Sequence, residues 1–261
     1  MLLAIDVGNT NIMLGVYSED KLELWWRIST NPDQTEDEYG VIIRNLFQQS
    51  GVDAACITDM IIASVVPPLR APMEKMAKRY FNTSPLIVGP GVKTGLNILM
   101  DNPRELGADR VVNAVAGIEL YGGPLIIVDF GTATTFCAIS EKAEYLGGAI
   151  APGINISTEA LFQNAAKLPR VEVVKPERVI GKDTVSSIQS GIYYGFVGQV
   201  DGIVKRISEA FTKKPTVVAT GGLAGLIAKE SETLEEVNYF LTLEGLRIIF
   251  KKNLLKEKSM L

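Results

Sequence analysis

Two segments of this chain begin alike, and that repetition constrains the fold more than any other feature. Residues 2–5 are a short apolar run broken by Asp6-Val7-Gly8-Asn9-Thr10-Asn11, after which residues 12–17 resume as a second apolar run. Residues 125–128 are broken in the same way by Asp129-Phe130-Gly131-Thr132-Ala133-Thr134, and residues 135–139 return. Each segment reads as a strand, a tight polar turn and a returning strand. Further strand-like runs at 22–27, 60–66, 86–88, 145–150 and 217–219 alternate with helical stretches. Thr35-Glu36-Asp37-Glu38 is a capping box, and Tyr39, Ile42, Ile43, Leu46 and Phe47 form an apolar stripe behind it. Other helices are expected at 71–80, at 154–166, at 243–256, and over 185–211 with small residues interrupting it. One more is expected to open at Asp101-Asn102-Pro103 and end near Tyr121. The pattern predicts a duplicated α/β fold, with two similar halves at 1–122 and 123–261 and a cleft between them.

Composition removes several function classes. The chain has no histidine, so His-based triads, H-E-x-x-H metal sites and the H-R-D loop of protein kinases are impossible. Chemistry must run on carboxylates, hydroxyls, backbone amides and bound ions. With 26 basic and 30 acidic residues the net charge is −4, and no basic stripe suggests a nucleic-acid partner. Cys56 and Cys137 lie far apart, which excludes a disulfide framework or zinc knuckle and suits a reducing cytosol. The N-terminus lacks a basic leader. The longest apolar stretch, 60–69, carries Ser64, Pro67 and Pro68 and is too short to span a membrane. A cytoplasmic protein without membrane contact is expected.

The paired turns have a chemical reading beside the plain one of two β-turns that use Asp and Gly. A glycine lets backbone approach an oxyanion closely, while turn amides and Thr or Asn side chains aim donors at it. The neighbouring carboxylate can hold magnesium or its water, which neutralises a triphosphate. No Walker A sequence is present. Thr220-Gly221-Gly222 puts a glycine pair at a strand's C-terminal end, where a flat ligand could lie on bare backbone or where the chain simply turns. Ala224-Gly225 follows, but the G-x-G-x-x-G spacing is missing. In Gly107-Ala108-Asp109-Arg110, an acid near a helix N-terminus is ordinarily a dipole-favoured surface residue. The glycine before it and the arginine after it can instead bind an anionic substrate and leave one carboxylate free.

Taken in order, these elements resemble type III pantothenate kinase. The likeness adds Gly147-Gly148, Pro152-Gly153, Lys167-Leu168-Pro169, Gly181-Lys182-Asp183-Thr184 and Leu243-Glu244-Gly245-Leu246 to the motifs above, and it runs over nearly the whole chain. It departs from the family at Leu99-Met100-Asp101, ahead of Asn102-Pro103, where relatives often place an aromatic or basic residue. The resemblance implies a duplicated ribonuclease-H-like fold of the actin/hexokinase-like ATPase superfamily, assembled as a homodimer. It implies transfer of phosphate from ATP to pantothenate, the first step of coenzyme A synthesis, with magnesium and with potassium or ammonium. Carried over by position, Asp6, Val7, Gly8, Asn9, Thr10, Asn11, Ile12 and Met13 form the ATP phosphate loop, with Asp6 toward magnesium. Thr132 is a second phosphate contact, and Gly221 and Gly222 lie on the adenosine side. Gly107, Ala108, Asp109 and Arg110 grip pantothenate, with Asp109 as the base. Asp129 is the monovalent-cation ligand, and Thr184 is a pantothenate contact at the dimer interface. Two alternatives stand beside this one: another small-molecule kinase of the superfamily, and an ATP-binding regulator without catalysis.

Overall fold

The computed structural model describes residues 1–258, with side chains through residue 254. Strands β1 (Leu2–Val7), β2 (Asn11–Ser18) and β3 (Lys21–Ser29) lead into helix α1 (Glu36–Gln49). Then come β4 (Asp59–Ser64), α2 (Arg70–Phe81), β5 (Leu86–Ile87), β6 (Asn97–Ile98) and α3 (Ala108–Tyr121). Three more strands follow: β7 (Leu125–Phe130), β8 (Ala133–Ile139) and β9 (Glu144–Pro152). The chain continues through α4 (Ile154–Asn164), α5 (Thr184–Ser208) and β10 (Thr216–Gly221). It closes with α6 (Ala224–Ile227), β11 (Glu236–Val237) and α7 (Leu241–Lys258). The short β6, α6 and β11 are absent from the sequence reading.

Packing gathers the chain into two units, one of Met1–Gly95, Arg104–Ala116 and Thr242–Leu261, the other of Leu96–Pro103 and Gly117–Leu241. A single cut between residues 122 and 123 does not follow this packing, because α7 folds with the first unit and α3 is shared between the two. Residues 259–261 of the expected second half lie outside the described residues.

In the first unit the sheet order is β3-β2-β1-β4-β5, with β1 antiparallel to β2 and parallel to β4. Leu3, Ile5 and Val7 of β1 and Ile12, Leu14 and Val16 of β2 pack against Tyr39, Ile43 and Phe47 of α1 and Met73 and Met76 of α2. The expected capping box starts α1: the Glu38 amide donates to the Thr35 hydroxyl, and the Thr35 amide donates to the Glu38 carboxylate at 2.8 Å. Strand alternation puts Ala4, Asp6, Gly15 and Tyr17 on the opposite face. There α7 covers the sheet, with Leu243 packed on Gly15 and Glu244 accepting a hydrogen bond from Tyr17.

The second unit repeats this plan. Its sheet runs β11-β10-β7-β8-β9-β6, so β9-β8-β7-β10-β11 reproduces the first order strand for strand, with the same parallel and antiparallel pairings. β6 is an added edge strand on β9. Both β1 and β7 are buried along their length except at one half-buried position, Asp6 in the first and Asp129 in the second. Ile126, Val128 and Phe130 pack against Tyr193, Phe196, Val197, Val200 and Val204 of α5, so Asp129 points to the other face.

Two helices differ from expectation. Residues 103–105 form one 3₁₀ turn, and α3 itself begins at Ala108 rather than at Pro103, which makes Asp109 its second residue. In place of the interrupted helix expected over 185–211 stands the unbroken 25-residue α5, Thr184–Ser208, despite Gly191, Gly195, Gly198 and Gly202. Each glycine costs a helix about 1 kcal/mol against alanine, and the buried stripe on its other face outweighs that cost.

Candidate active site

The turn between β1 and β2 is closed by the Gly8 amide, which donates to the Asn11 carbonyl at 3.1 Å. A Cβ on Gly8 would stand only 3.0 Å from that oxygen, a contact the turn could take only by shifting a few tenths of an ångström. Thr30, just past β3, clamps it from the side. The Thr30 hydroxyl donates to the Gly8 carbonyl at 2.6 Å, and the Thr30 amide donates to the Thr10 carbonyl at 3.0 Å. Asn9 and Thr10 are exposed at the tip, and Asp6, Gly8, Asn11 and Met13 are half-buried. Val7 and Ile12 bury their side chains in the core, so only their backbone can meet a ligand.

The start of α3 reaches the same end of the sheet. The Val65 amide, just after β4, donates to the Val7 carbonyl at 3.1 Å and ties that turn to β1. Gly107 sits against it, since a Cβ there would lie 3.6 Å from Val65 Cγ1. The same Cβ would collide with Asp109 Oδ1, so the Asp109 carboxylate folds back over Gly107 and in this position uses the space that the glycine leaves. The Gly107 carbonyl accepts the first helical bond, from the Val111 amide at 3.2 Å, and Asp109 Oδ1 accepts the Arg110 amide at 2.8 Å. Ala108, Asp109 and Arg110 are half-buried. Within the first unit, the 8–11 turn, the turn after β4 and residues 107–110 thus gather at the carboxyl end of parallel β1 and β4. Open α/β sheets bind ligands at such strand ends.

The second unit has its own cluster. Thr220 pairs with Asp129 and Gly221 with Phe130 across β10 and β7. Gly221 has φ +91°, and a Cβ on it would stand 2.8 Å from Asp129 Oδ1 and 2.7 Å from the Phe130 carbonyl oxygen. One carboxylate and one carbonyl therefore flank bare backbone, an all-oxygen donor set suited to a hard cation. Among the described residues, no group of three or more Asp, Glu, Cys or His is arranged to hold a metal. In the β7–β8 turn the Gly131 amide donates to the Ala133 carbonyl at 3.1 Å. Gly153, at the start of α4, donates to the Thr132 carbonyl at 3.1 Å, and its missing side chain is required because a Cβ would stand 2.7 Å from the Gly131 oxygen. Gly222 follows β10 in an exposed turn.

Thr184 is placed differently. It is the exposed first residue of α5, after an Asp183 cap whose carboxylate accepts the Ser186 amide at 2.9 Å. Hydrogen bonds from the Ser186 amide and hydroxyl hold the Asp183 carboxyl below its ordinary pKa. Thr184, Leu168, Gly181, Lys182 and Asp183 line an open recess of about 600 Å³ that no residue of the two turns lines. Sequence reading missed Thr30 and Val65 altogether. The only local hint of the β4 turn was Pro67-Pro68, and Thr30 had none.

The profile of the type III pantothenate kinase family matches residues 2–206. The type III pantothenate kinase of Geobacillus kaustophilus is 59% identical over 253 residues, covering 97% of this chain and 98% of that one. That of Halalkalibacterium halodurans is 57% identical over 253 residues, covering 97% and 100%. Among solved structures, a Sinorhizobium meliloti protein described as a candidate 2-dehydro-3-deoxygalactonokinase shares the fold, with a TM-score of 0.58 and 12% identity over 97% of this chain and 99% of that one. With its repeated five-strand plan and its sequence matched over most of its length, this chain belongs to the type III pantothenate kinase family.

Proposed function

We propose that the chain transfers the γ-phosphoryl group of ATP to the primary hydroxyl of pantothenate, giving ADP and 4′-phosphopantothenate, the first step of coenzyme A synthesis. The observation that carries the reading is the Asp109 carboxylate, folded over Gly107 at the strand end that also bears the 8–11 turn. As the pantothenate oxygen attacks the γ-phosphorus, its proton passes to Asp109. Phosphoryl transfer goes through a loose transition state, so Asp109 also orients the hydroxyl. Arg110 is the cation opposite the pantothenate carboxylate. Backbone amides of the 8–11 turn and the Thr132 hydroxyl donate to phosphate oxygens, where charge builds in the transition state. Gly221 and Gly222 offer bare backbone to the adenosine.

Two ions belong to this reading. Asp6 is the single carboxylate toward magnesium, in line with a cation that keeps its waters and leans on substrate phosphates. Asp129 and the Phe130 carbonyl would hold potassium or ammonium. Together these ions supply positive charge against the triphosphate.

The exposed face of α5 supports a homodimer. Around Gly191 and Gly195 nothing lies within 4 Å of where a Cβ would stand. A groove of about 360 Å³ runs there between Leu161, Ile188, Ile192 and Phe196. In such a dimer Thr184, at the start of α5, contacts pantothenate. The setting is the cytoplasm, where ATP is available.

The test is ADP release with pantothenate set against a panel of sugars, acetate and other hydroxyl or carboxylate acceptors. Turnover with pantothenate alone is expected, and turnover with a sugar but not with pantothenate overturns the reading.

A further inference from the structure

The reaction described above gives the closing helix α7 no part. It nevertheless touches α3 along one stripe. The Thr242 hydroxyl donates to Asn113 Oδ1 at 2.7 Å, and Asn113 is 2% exposed. At Gly245 the two backbones approach closely, since a Cβ there would stand 2.8 Å from the Val112 carbonyl carbon and 2.7 Å from Val112 Cγ1. Val112 and Asn113 follow Asp109 by three and four residues, so all three share one face of α3. α7 therefore bears on the stripe that ends in the Asp109 carboxylate.

α7 is itself held from other directions. Leu243 packs on Gly15 of β2. The Tyr17 hydroxyl donates to Glu244 Oε1 at 3.3 Å, and burial followed by the Glu244 charge pushes Tyr17 well above its ordinary pKa, so it stays a donor. Arg247 bonds Glu244 at 2.9 Å and also reaches Asp20, which Lys251 meets as well. Farther along, Asn253 and the Lys93 backbone exchange two hydrogen bonds, each 3.0 Å. The helix is thus fixed to the β2–β3 hairpin and to the loop after β5 before it meets α3.

We propose that Thr242 and Gly245 are positioning residues for the phosphoryl transfer, setting the height and rotation of α3 and through it the place of the Asp109 carboxylate. This rests on the reading of Asp109 as the base. Displacing a positioned group by a fraction of an ångström is costly to rate even when substrate still binds.

The test uses the full chain, with Thr242→Ser, Thr242→Val and Gly245→Ala made alone and again with Asp109→Asn. Thermal melts accompany kcat and KM for both substrates. Thr242→Ser keeps the donor and stays within about twofold of wild type in kcat, whereas Thr242→Val loses about 3–10-fold and Gly245→Ala about 10–100-fold, with KM for ATP little changed. With Asp109→Asn present, the same changes lower the residual kcat less than about twofold, because no carboxylate remains to be placed. If Gly245→Ala fails to fold, the Thr242→Val and Thr242→Ser pair decides alone. The proposal is overturned if the Thr242 and Gly245 variants keep wild-type kcat while Asp109→Asn loses it, or if their losses are equal in both backgrounds. If Asp109→Asn itself keeps wild-type kcat, the base assignment falls, and this proposal with it.

Discussion

Asp129 Oδ1 lies 2.8 Å from the point a Cβ on Gly221 would occupy, so the bare glycine backbone of β10 is what lets the β7 carboxylate lie against its flank. Gly221→Ala fills that flank from a backbone at φ +91°, where a side chain is also strained. The expected loss of stability is about 1–3 kcal/mol, the usual cost of such a backbone. Wild-type activity should require potassium or ammonium, and the variant should need a far higher concentration of either ion. A salt titration of initial rates checks both, and full wild-type activity in sodium-only buffer would remove the ion from Asp129.

Asp109→Asn keeps the side chain's size but cannot accept the hydroxyl proton. Losing a positioned base lowers kcat by about 10²–10⁴-fold, and KM for pantothenate should change much less. Steady-state kinetics on the purified variant decide it. Turnover within about threefold of wild type would reduce Asp109 to a helix-terminal hydrogen-bond acceptor for the Arg110 amide.

Thr30→Val removes the hydroxyl that clamps the Gly8 carbonyl without changing side-chain volume. The bond is worth about 1 kcal/mol, so KM for ATP should rise several-fold as the turn loosens. KM for pantothenate should stay put. An equal rise for both substrates would mean that Thr30 supports the unit as a whole rather than the phosphate turn.

Gly195→Glu adds a charged side chain where nothing lies within 4 Å. The folded subunit has room for it, and a partner helix packed closely on that face would not. Sedimentation should show a dimer for the wild-type chain and a monomer for the variant, with melting behaviour consistent with an intact subunit fold. Identical mass for the two proteins would move the dimer interface away from α5.

Asp201 on α5 holds the segment after α6, accepting the Ser231 and Thr233 hydroxyls at 2.6 and 2.7 Å and the Glu232 and Thr233 amides at 3.1 and 3.2 Å. Burial raises its pKa, but these hydrogen bonds outweigh burial and hold the carboxyl below its ordinary value. A carboxyl lowered in the folded state stabilises the protein fully above its unfolded pKa of about 4, and that contribution fades as pH falls through the folded value. The melting-temperature gap between wild type and Asp201→Ala should therefore be constant from about pH 7 to 5 and narrow below about pH 4. A gap that widens in acid would contradict the assignment.

Much of this protein is written locally. The paired strand–Asp-x-Gly–strand segments are legible because turn chemistry and strand periodicity act over a few residues, and the repeated strand order is their three-dimensional consequence. The Thr35 and Glu38 cap is legible for the same reason, its two partners being three residues apart. Pro103 looks like a helix opening, yet residues 103–105 close only one 3₁₀ turn and the first α-helical bond of α3 runs to Gly107, which lies against Val65, some forty positions earlier in the chain. Thr30 on Gly8, Gly153 on Thr132 and Gly245 on Val112 are likewise contacts between distant positions, and no period or motif within a window of a dozen residues encodes them. Local sequence determined which residue types stand at the strand ends. Which backbone presses on them, and whether a glycine there is a turn or a seat for a carboxylate, was decided only when packing brought remote segments into contact.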